Sequence, residues 1–591
     1  MKKLYLFMFA TALTLSGVTM TSCTADIEDN PVIPEPEPEP EPEPVVKEKF
    51  ELGKPNNDDY RYLDEYKALK EYIDNEKYPN FKLGAGTTVN DYLNKPLVKN
   101  MTNKNFSETV AGNAMKMASC VDGNGNMNFT TVKRYVNAAT EAGLSVYGHT
   151  LAWHSQQPNG WLKKLLADKP DPNGGSEYTV VASKDFRKTQ SVGWKADEAE
   201  NDYSIKFSST NGLMVSVTQK HPWEVQFLVM TDILLTKGQT YKLTMNIKGS
   251  GEGYVDGNLG TWGSGPSVRF DFTKEWKDVT INVTPTMDSN FILLHIPNYI
   301  GDVYIKTIKF EGNKIKTIPQ TAQERHDTLV YAMDKWIKGM MNACEGKVKA
   351  WDLVNEAIGG DGNDGQGNYT LQHSDAYKKG TWDVGGDAFY WQDHMGDLEY
   401  VRQACRLARK YGPKDIKLFI NDYNLESDWD DNKKVKSLVN WIKKWEADGV
   451  TKIDGIGTQM HISCYENDNI LNNIKKHITK MFEVIAKSGK LCRVSEMDMG
   501  YVRGSNRWGS SIKTSQLTEA EHKRMADFYE WIIKEYFRII PPEQQWGICQ
   551  WCTTDAPSNS GWRGGEPVGI WDQNLYRKHV YAGFVRGLST K

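Results

Sequence analysis

The sequence predicts an α/β fold, a closed (β/α)₈ barrel whose chain is interrupted after the third barrel strand by an all-β sandwich domain. Two observations carry this prediction. Eight short apolar segments alternate with stretches of helical periodicity, which is typical of parallel strands joined by helices. Between Trp161 and Thr321, however, the pattern changes to short alternating strands and turns, which is typical of a β-sandwich.

The eight apolar segments, in chain order, are 82–86, 108–110, 144–149, 348–354, 416–421, 455–460, 491–496 and 546–551. Helical patterns fall between most of them, at 398–410, 432–448, 470–488 and 519–537, and an amphipathic helix is predicted over 58–73. An open, doubly wound sheet is the alternative. It is less favoured because no G-x-G-x-x-G segment marks a nucleotide-binding crossover.

The interval assigned to the sandwich contains nine strand-like segments separated by turn residues. They are 178–182, 204–207, 213–217, 223–230, 241–248, 267–272, 277–283, 291–296 and 303–309. A sandwich can be inserted into another domain because its two ends can lie close together at the surface. We therefore predict barrel segments at 51–168 and 317–591, with the sandwich at 169–316.

Length and composition limit the possible classes of protein. A chain of 591 residues is too long for one core and suggests two or three domains. Hydrophobic residues make up 39% and charged residues 25%, as in ordinary globular proteins. The net charge of −4 leaves no basic footprint, so we expect no nucleic-acid partner.

The N-terminus has the features of a bacterial lipoprotein signal. A positively charged start precedes an apolar run to Val18, and the run ends at Thr21-Ser22-Cys23. We predict a signal peptide at 1–22, lipid on Cys23, and an outer-membrane lipoprotein that faces the outside of the cell. The acidic residues at 26, 28 and 29 resemble the export tag of surface lipoproteins in Bacteroides-like bacteria. The alternative is ordinary cleavage that leaves Cys23 unmodified.

A linker is predicted over residues 23–50. Its segment 31–44 is a Pro-Glu repeat, in which proline fixes φ and the glutamates repel one another. The segment should therefore be extended and unpacked.

The cysteines and histidines do not form a convincing metal site. Seven cysteines follow Cys23, an odd number, and most lie in apolar segments, so buried free thiols are expected. Cys549 and Cys552 form a single C-x-x-C, which is a poor zinc signal. Zinc is the alternative for His149 and His154, but their i, i+5 spacing on a strand end directs them to opposite faces, which disfavours a shared metal. We predict no metal in the barrel.

Two glutamates end the fourth and seventh apolar segments. Glu356 closes Trp351-Asp352-Leu353-Val354-Asn355-Glu356, and Glu496 lies in Val494-Ser495-Glu496-Met497-Asp498. Strand ends at this face of a barrel carry function. Cleavage of a glycosidic bond uses two such carboxyls, one to protonate the leaving oxygen and one to attack or stabilise the cationic carbon. Either glutamate alone would more often be a solvated or salt-bridged residue.

Other polar and aromatic residues end the remaining strands. The third segment closes with Gly148-His149-Thr150-Leu151-Ala152-Trp153-His154-Ser155-Gln156, the fifth with Asn421-Asp422-Tyr423-Asn424, and the sixth with Gln459-Met460-His461. Trp551 and Trp562 bracket the end of the eighth. Packing alone does not explain such a cluster.

These segments resemble family 10 glycoside hydrolases, the endo-xylanases, over about residues 58–160 and 318–588. The resemblance implies a (β/α)₈ barrel, β-1,4-xylan as substrate, and double displacement with retention. It makes Glu356 the acid/base and Glu496 the nucleophile. Asn355 should bond the 2-hydroxyl of the attacked sugar, and His461, steadied by Asp498, should contact the nucleophile. The other implied substrate-binding residues are Asn113, Lys116, His149, Trp153, Gln156, Tyr423, Gln459, Trp551 and Trp562.

Two positions depart from the pattern of that family. Gly112 stands where the family usually has a glutamate that grips the sugar two units from the cleavage point, and Met117 stands where it usually has tryptophan. The segment from Trp551 to Trp562 is also longer than usual.

The inserted sandwich resembles carbohydrate-binding modules of the family 4 and 22 type. The resemblance rests on Trp223-Glu224-Val225-Gln226, on the turn Gly238-Gln239-Thr240-Tyr241, and on the strand pattern. Candidate residues for stacking on sugars are Trp194, Trp223, Tyr254 and Trp262, although Trp223 could equally belong to the core. Such modules often hold a structural calcium ion; we identify no ligand set for one.

The sequence thus predicts a retaining endo-β-1,4-xylanase that acts on xylan and xylo-oligosaccharides, as a monomer and with no catalytic cofactor. Two alternatives stay open, a non-catalytic glycan-binding lipoprotein and a retaining β-1,4-glucanase. For the enzyme, Glu356 must start protonated, which the charge of Glu496 would promote.

Overall fold

The computed structural model describes residues 58–260, 265–374 and 388–589. The predicted signal peptide, Cys23, the Pro-Glu linker and Trp262 lie outside these residues.

Eight parallel strands form the centre of the fold. They are β1 (Lys82–Thr87), β2 (Glu108–Ala111), β3 (Ser145–Gly148), β4 (Ala350–Asn355), β5 (Lys417–Asp422), β6 (Gly455–Thr458), β7 (Leu491–Val502) and β8 (Gln545–Gln550). Each strand pairs with the next, and β8 pairs with β1. The sheet therefore closes on itself, and the predicted barrel is confirmed over the open sheet. A short strand, His461–Tyr465, extends β6 and pairs with the second half of β7.

Helices surround the strands. Their bounds are Val89–Asn94, Pro96–Asn105, Met117–Cys120, Thr130–Glu141, Asn159–Leu165, Ala322–Cys344, Gln392–Met395, Glu399–Tyr411, Lys433–Glu446, Asp468–Lys487, Glu519–Ile539 and His579–Leu588. The two longest begin at capping boxes, in which Thr321 pairs with Glu324 and Thr518 with Glu521.

The predicted continuous helix over 58–73 is wrong. The segment forms three short helical turns, Asp58–Arg61, Tyr62–Glu65 and Leu69–Tyr72. The guanidinium of Arg577 donates hydrogen bonds to the carbonyls of Leu63 and Tyr66. A continuous helix would need those carbonyls for its own amides, so the tertiary contact replaces the local one.

The interval after β3 forms the predicted sandwich of two antiparallel sheets. One contains Gln226–Leu234, Gly253–Gly260, Ser267–Phe272 and Ser289–His295; the other contains Ser176–Asp185, Tyr203–Ser208, Gly212–Val217, Tyr241–Gly249, Lys277–Val283 and Gly301–Ile315. Their inner faces enclose a separate apolar core, with Phe227, Leu243 and Phe270 fully buried. The strand Gly253–Gly260 was not predicted because its glycines resemble turn signals.

The two connections between barrel and sandwich run side by side. Lys169–Pro170 pairs antiparallel with Thr317–Ile318. This short ladder brings the start and the end of the insert together, so the barrel can close around it.

The seven described cysteines are all free thiols, six of them buried and Cys552 half-buried, as predicted. Within the described ranges, no helix combines the length and the apolar character needed to cross a membrane.

Candidate active site

The two predicted glutamates meet at the carboxyl end of the barrel. Asn355 ends β4 and Glu356 follows it, whereas Glu496 lies within β7 and is 6% exposed. Glu356 has φ 56°, a left-handed conformation that is uncommon for residues other than glycine. Such strain is characteristic of functional sites that the surrounding structure holds in place.

Neutral donors hold the Glu356 carboxyl. Trp153 Nε1 donates to Oε2 at 3.0 Å, and Gln459 Nε2 donates to Oε1 at 3.0 Å. The Asn355 amide also donates to Oε1, at 3.3 Å. The carboxyl is thus fixed at both oxygens while its residue remains partly exposed.

The Glu496 carboxylate lies between an amide and a cation. Asn421 Nδ2 donates to Oε1 at 2.7 Å, and His461 Nε2 lies 3.5 Å from Oε2. Asn421 Nδ2 also donates to Asn355 Oδ1 at 2.8 Å. The two glutamates are therefore joined by hydrogen bonds through two buried amides, those of Asn355 and Asn421.

These environments shift the two carboxyls in opposite directions. Burial raises the pKa of Glu356, and the charges of Asp422 and Glu496 raise it further, against the opposing hydrogen bonds from Gln459 and Trp153. Burial also acts to raise the pKa of Glu496, but the contact with His461 and the charges of His461 and His149 outweigh it, so that this pKa lies below its usual value. A carboxyl with a raised pKa beside one with a lowered pKa is the arrangement that acid/base chemistry requires.

His461 is held in its charged form. Its Nδ1 lies 3.1 Å from Asp498 Oδ1, and its pKa is raised to about 10 because the effect of Asp498 and Glu496 exceeds that of burial. Asp498 is itself fixed by Arg563 Nη1 at 2.6 Å and by Trp562 Nε1 at 2.8 Å. Asp498 thus orients the histidine that faces Glu496.

Asp352 is a further buried acid close to Glu496. Asp352 of β4 accepts a hydrogen bond from the Tyr147 hydroxyl at 2.6 Å and contacts His149 Nδ1 at 2.8 Å. Ligand atoms of His149, Asp352 and Glu496 lie within 4.8 Å of one another, which is close enough to hold a metal ion. The His149–Asp352 distance is that of a hydrogen bond, so their proximity is explained without one. His154 turns away and stacks on Tyr390 with centroids 5.3 Å apart.

One half of the barrel mouth forms a cavity of about 590 Å³. Loops after β1, β2, β3 and β8 line it, and they contribute five of the predicted binding residues, Asn113, Lys116, Gln156, Trp551 and Trp562. Lys116 is buried and lies 5.0 Å from the Trp153 ring. Gly112 also lines the cavity, and a Cβ there would come no closer than 3.5 Å to Thr87 O, so the wall has room for a larger side chain.

Behind Glu356, a buried ion pair supports the loop that follows β4. Asp422 Oδ1 lies 2.8 Å from Lys434 Nζ, and Asp422 Oδ2 accepts the amide of Ile358 at 2.9 Å. The same ammonium lies 3.4 Å from the centroid of the Tyr423 ring. Tyr423 therefore packs on the ion pair behind Glu356, and its place near the cleavage point stays a prediction.

The predicted list omitted several residues that shape the site. Asn421, Asp352 and Asp422 belong to strand-end motifs that were identified, but their partners are visible only in three dimensions. Lys434 lies on a helix and gave no sequence signal. A second cavity, of about 310 Å³, is lined by the loops after β5, β6 and β7, and it includes Trp429 and Trp508.

The described residues of the sandwich that we predicted to stack on sugars line neither of these two cavities. Trp194 and Trp223 are 46% and 51% exposed, which settles Trp223 as a surface residue. Tyr254 lies on the outer face of the four-stranded sheet, and the guanidinium carbon of Arg269 is 3.6 Å from its ring centroid.

Comparison with known proteins places the barrel in a family. The glycosyl hydrolase family 10 model matches residues 69–181 and 313–586, more than half of the chain. The endo-β-1,4-xylanase Xyn10C of Cellvibrio japonicus is 30% identical over 42% of this chain and 34% of its own. A thermostable celloxylanase of Thermoclostridium stercorarium is 29% identical over 45% of this chain and 60% of its own. The chain thus spans between about a third and three fifths of the length of these relatives.

The crystal structure of xylanase B from Clostridium stercorarium F9 superposes with a TM-score of 0.50 at 18% identity, covering 88% of this chain and 99% of that one. This likeness concerns the fold. The match of the family model over both barrel segments confirms the predicted family: the chain belongs to glycosyl hydrolase family 10.

Proposed function

We propose that the protein is an endo-β-1,4-xylanase that cleaves internal bonds of xylan by double displacement with retention. The observation that carries the proposal is the geometry of Glu356 and Glu496, whose carboxyls are linked through Asn355 and Asn421 at the carboxyl end of the barrel. The opposite directions in which their surroundings shift the two pKa values agree with it. Family membership and the names of the xylanase relatives support xylan as the substrate.

The first step forms a covalent intermediate. The Glu496 carboxylate attacks the anomeric carbon while the bond from that carbon to the leaving oxygen breaks, and this oxygen takes the proton of Glu356. The charge of Glu496 is thereby lost, so one cause of the raised pKa of Glu356 disappears. Glu356 is then a carboxylate that can act as a base.

The second step restores the enzyme. Water attacks the anomeric carbon on the face from which the first sugar left and gives its proton to Glu356, and the bond to Glu496 breaks. Two inversions at one carbon give net retention. Throughout, Asn355 and Asn421 keep the two carboxyls in fixed relation.

Replacement of the nucleophile tests the proposal. Glu496→Ala should bind xylan and release reducing sugar at least about 10⁴-fold more slowly than the unmodified protein. Glu543→Ala is the matched control, since Glu543 is exposed and precedes β8 at the opposite end of the barrel. Near-normal turnover by Glu496→Ala would remove the assignment and favour a glycan-binding protein without catalysis.

A retaining β-1,4-glucanase is the second candidate, and the name celloxylanase of one relative favours including it. A glucose unit carries a hydroxymethyl group that xylose lacks, so crowding in the cleft decides between the two. Parallel assays on xylan and carboxymethyl-cellulose distinguish them.

We further propose that the protein is exported, lipid-anchored through Cys23, and displayed outside the cell, with xylan and membrane lipid as its partners. The signal sequence and the Pro-Glu linker support this proposal. Loss of membrane association in Cys23→Ser tests it.

The sandwich is proposed to bind glycan through its candidate aromatic residues, Trp194, Trp223, Tyr254 and Trp262. Binding of insoluble xylan by Glu496→Ala, with and without Trp223→Ala, tests this role.

A further inference from the structure

Two lysines lie against one tryptophan on the outer face of the six-stranded sheet of the sandwich. The Nζ atoms of Lys306 and Lys248 are 4.0 and 5.2 Å from the centroid of the Trp276 ring. Lys248 Nζ is also 5.1 Å from the centroid of the Tyr304 ring, and the two aromatic rings are 6.3 Å apart at an angle of 65°. All four residues are half-buried, so two cations and two aromatic rings form one compact cluster.

Strand pairing places three members of the cluster in a row. Tyr304 lies directly opposite Lys248 on one neighbouring strand. On the other side Lys277 pairs with Ile247, which puts Trp276 next to Lys248. Successive side chains of a strand point to opposite faces of the sheet, and Ile247 is fully buried in the sandwich core. Lys248 therefore points outwards, between the two aromatic rings.

The fourth member comes from a β-bulge in the long strand at the centre of this sheet. The register of that strand shifts between Ile305 and Thr307, so Lys306 is an extra residue. A bulge redirects a side chain out of the regular alternation of the strand. Here the ammonium group of Lys306 lies over the Trp276 ring, close to that of Lys248.

The two ammonium groups have no acid to neutralise them. Within the described residues, neither Lys248 nor Lys306 forms an ion pair, whereas Lys309, on the same strand as Lys306, pairs with Glu311 at 3.1 Å. Like charges held together repel each other, and attraction to an aromatic ring offsets only part of that cost. A carboxylate between the two ammonium groups would remove the repulsion.

Two acids on the same face are already engaged by neutral donors. Asp302 accepts hydrogen bonds from the hydroxyls of Ser216 and Tyr304, at 2.6 and 3.1 Å. Asp278 accepts a hydrogen bond from the amide of Asn246 at 2.7 Å. The anion that would complete the cluster is therefore sought in a ligand.

We propose that this cluster binds the carboxylate of a uronic acid, so that the sandwich recognises xylan with acidic side groups. The carboxylate lies between the ammonium groups of Lys248 and Lys306. The sugar ring packs against the exposed parts of Trp276 and Tyr304. The inference rests on the proposed function, since a glycan is the expected anion only where the barrel acts on one. The site lies on the opposite sheet from Tyr254, and what it recognises is charge.

Two polymers separate the recognition of charge from the recognition of xylan. Glucuronoxylan and the same polymer with its carboxyl groups reduced to alcohols differ in charge. Calorimetry measures the binding of each to the full chain with Glu496→Ala, which is used to prevent cleavage. Adding Lys248→Met and Lys306→Met, which keep the apolar stems, should weaken binding of the acidic polymer about tenfold and leave binding of the reduced polymer unchanged.

Matched variants identify the cause of this loss. Lys443→Met with Lys487→Met removes the same charge from two exposed lysines on barrel helices and should change neither affinity. Lys248→Arg with Lys306→Arg keeps both charges and should retain the preference for the acidic polymer. High ionic strength should abolish that preference in the unmodified cluster, because salt screens charges that water reaches.

Three outcomes separate the alternatives. Unchanged binding of glucuronoxylan by the methionine variant, or an equal loss on both polymers, would overturn the site. Binding to phosphatidylglycerol vesicles that the methionine variant loses, without a change on either polymer, would assign the lysines to an anionic membrane and overturn it as well. If the unmodified protein does not cleave xylan, the proposed function fails, whereas the comparison of the two polymers still tests the site.

Discussion

The interior of the barrel contains two layers of buried acids that differ in what surrounds them. In the lower layer, Glu108 of β2 forms an ion pair with Arg493 of β7, and both are almost completely buried. In the upper layer, Glu356 and Glu496 are also largely buried, but Glu356 is held by neutral amides and an indole and lines a small cavity. Glu496 contacts the Asn421 amide and His461, and His461 lines the second cavity. Arg493 precedes Glu496 by only three positions on the same strand.

This difference separates a structural acid from a reactive one. The charge of Glu108 is neutralised by a permanent cation, with no route for a substrate to replace it. Burial raises the pKa of Glu108 even beside Arg493, as it raises the pKa of Glu356, so these two acids differ in their partners and not in the direction of the pKa shift. Neutral donors orient the carboxyl of Glu356, whereas the carboxylate of Glu496 faces His461. Burial alone therefore does not identify a catalytic carboxyl; the type of partner and the access to a cleft do.

The largest effect on activity should come from replacing Glu356 in the upper layer. Glu356→Gln removes the proton donor and should lower kcat on xylan by about 10²–10⁴-fold. On an aryl xylobioside with a good leaving group the first step needs little protonation, so that step should be nearly preserved. Thermal unfolding should be almost unchanged, since the amide keeps the packing.

Stopped-flow assays on both substrates check this outcome. An equal loss on xylan and on the aryl substrate would mean that Glu356 is not the acid.

Breaking the ion pair between Glu108 and Arg493 should lower stability and largely spare activity, the reverse of the effect expected for Glu356→Gln. Arg493→Met leaves Glu108 charged and unpaired in the core, at an expected cost of about 3–5 kcal/mol in the free energy of unfolding. Denaturant unfolding measures this cost. The protein that remains folded should keep most of its kcat.

The double replacement Arg493→Met/Glu108→Leu is the control, because it removes the pair without leaving a buried charge. It should recover much of the lost stability. A double variant no more stable than Arg493→Met would show that the unpaired carboxylate is not the cause.

A smaller effect sharpens the comparison within the upper layer. The charged His461 lowers the pKa of Glu496, so His461→Asn should raise that pKa. Glu496 must be ionised to attack. When the pH is lowered, the activity of the variant should therefore fall at a higher pH than the activity of the unmodified protein does. The acidic limb of the kcat/KM profile on an aryl xylobioside measures the change; a limb that stays in place or moves to lower pH would argue against a charged His461.

Much of the barrel could be predicted because its signals are local. Each strand candidate overlaps an observed strand; the Asn355-Glu356 motif ends one of these strands, whereas Glu496 lies within another. What failed depended on distant contacts: Arg577 breaks the helix predicted over 58–73, and the glycines of Gly253–Gly260 disguise a strand. Trp429 and Trp508 were missed for a similar reason, since they come from the loops after β5 and β7, which meet only in the folded chain.

The stereochemistry of the first product tests the central claim most directly. Proton NMR of xylohexaose during the first minutes of hydrolysis distinguishes the two anomers before they equilibrate. If Glu496 attacks and Glu356 serves first as acid and then as base, the β-anomer appears first and the α-anomer grows in only by mutarotation. Initial release of the α-anomer would contradict the account, because it would require a single displacement by water.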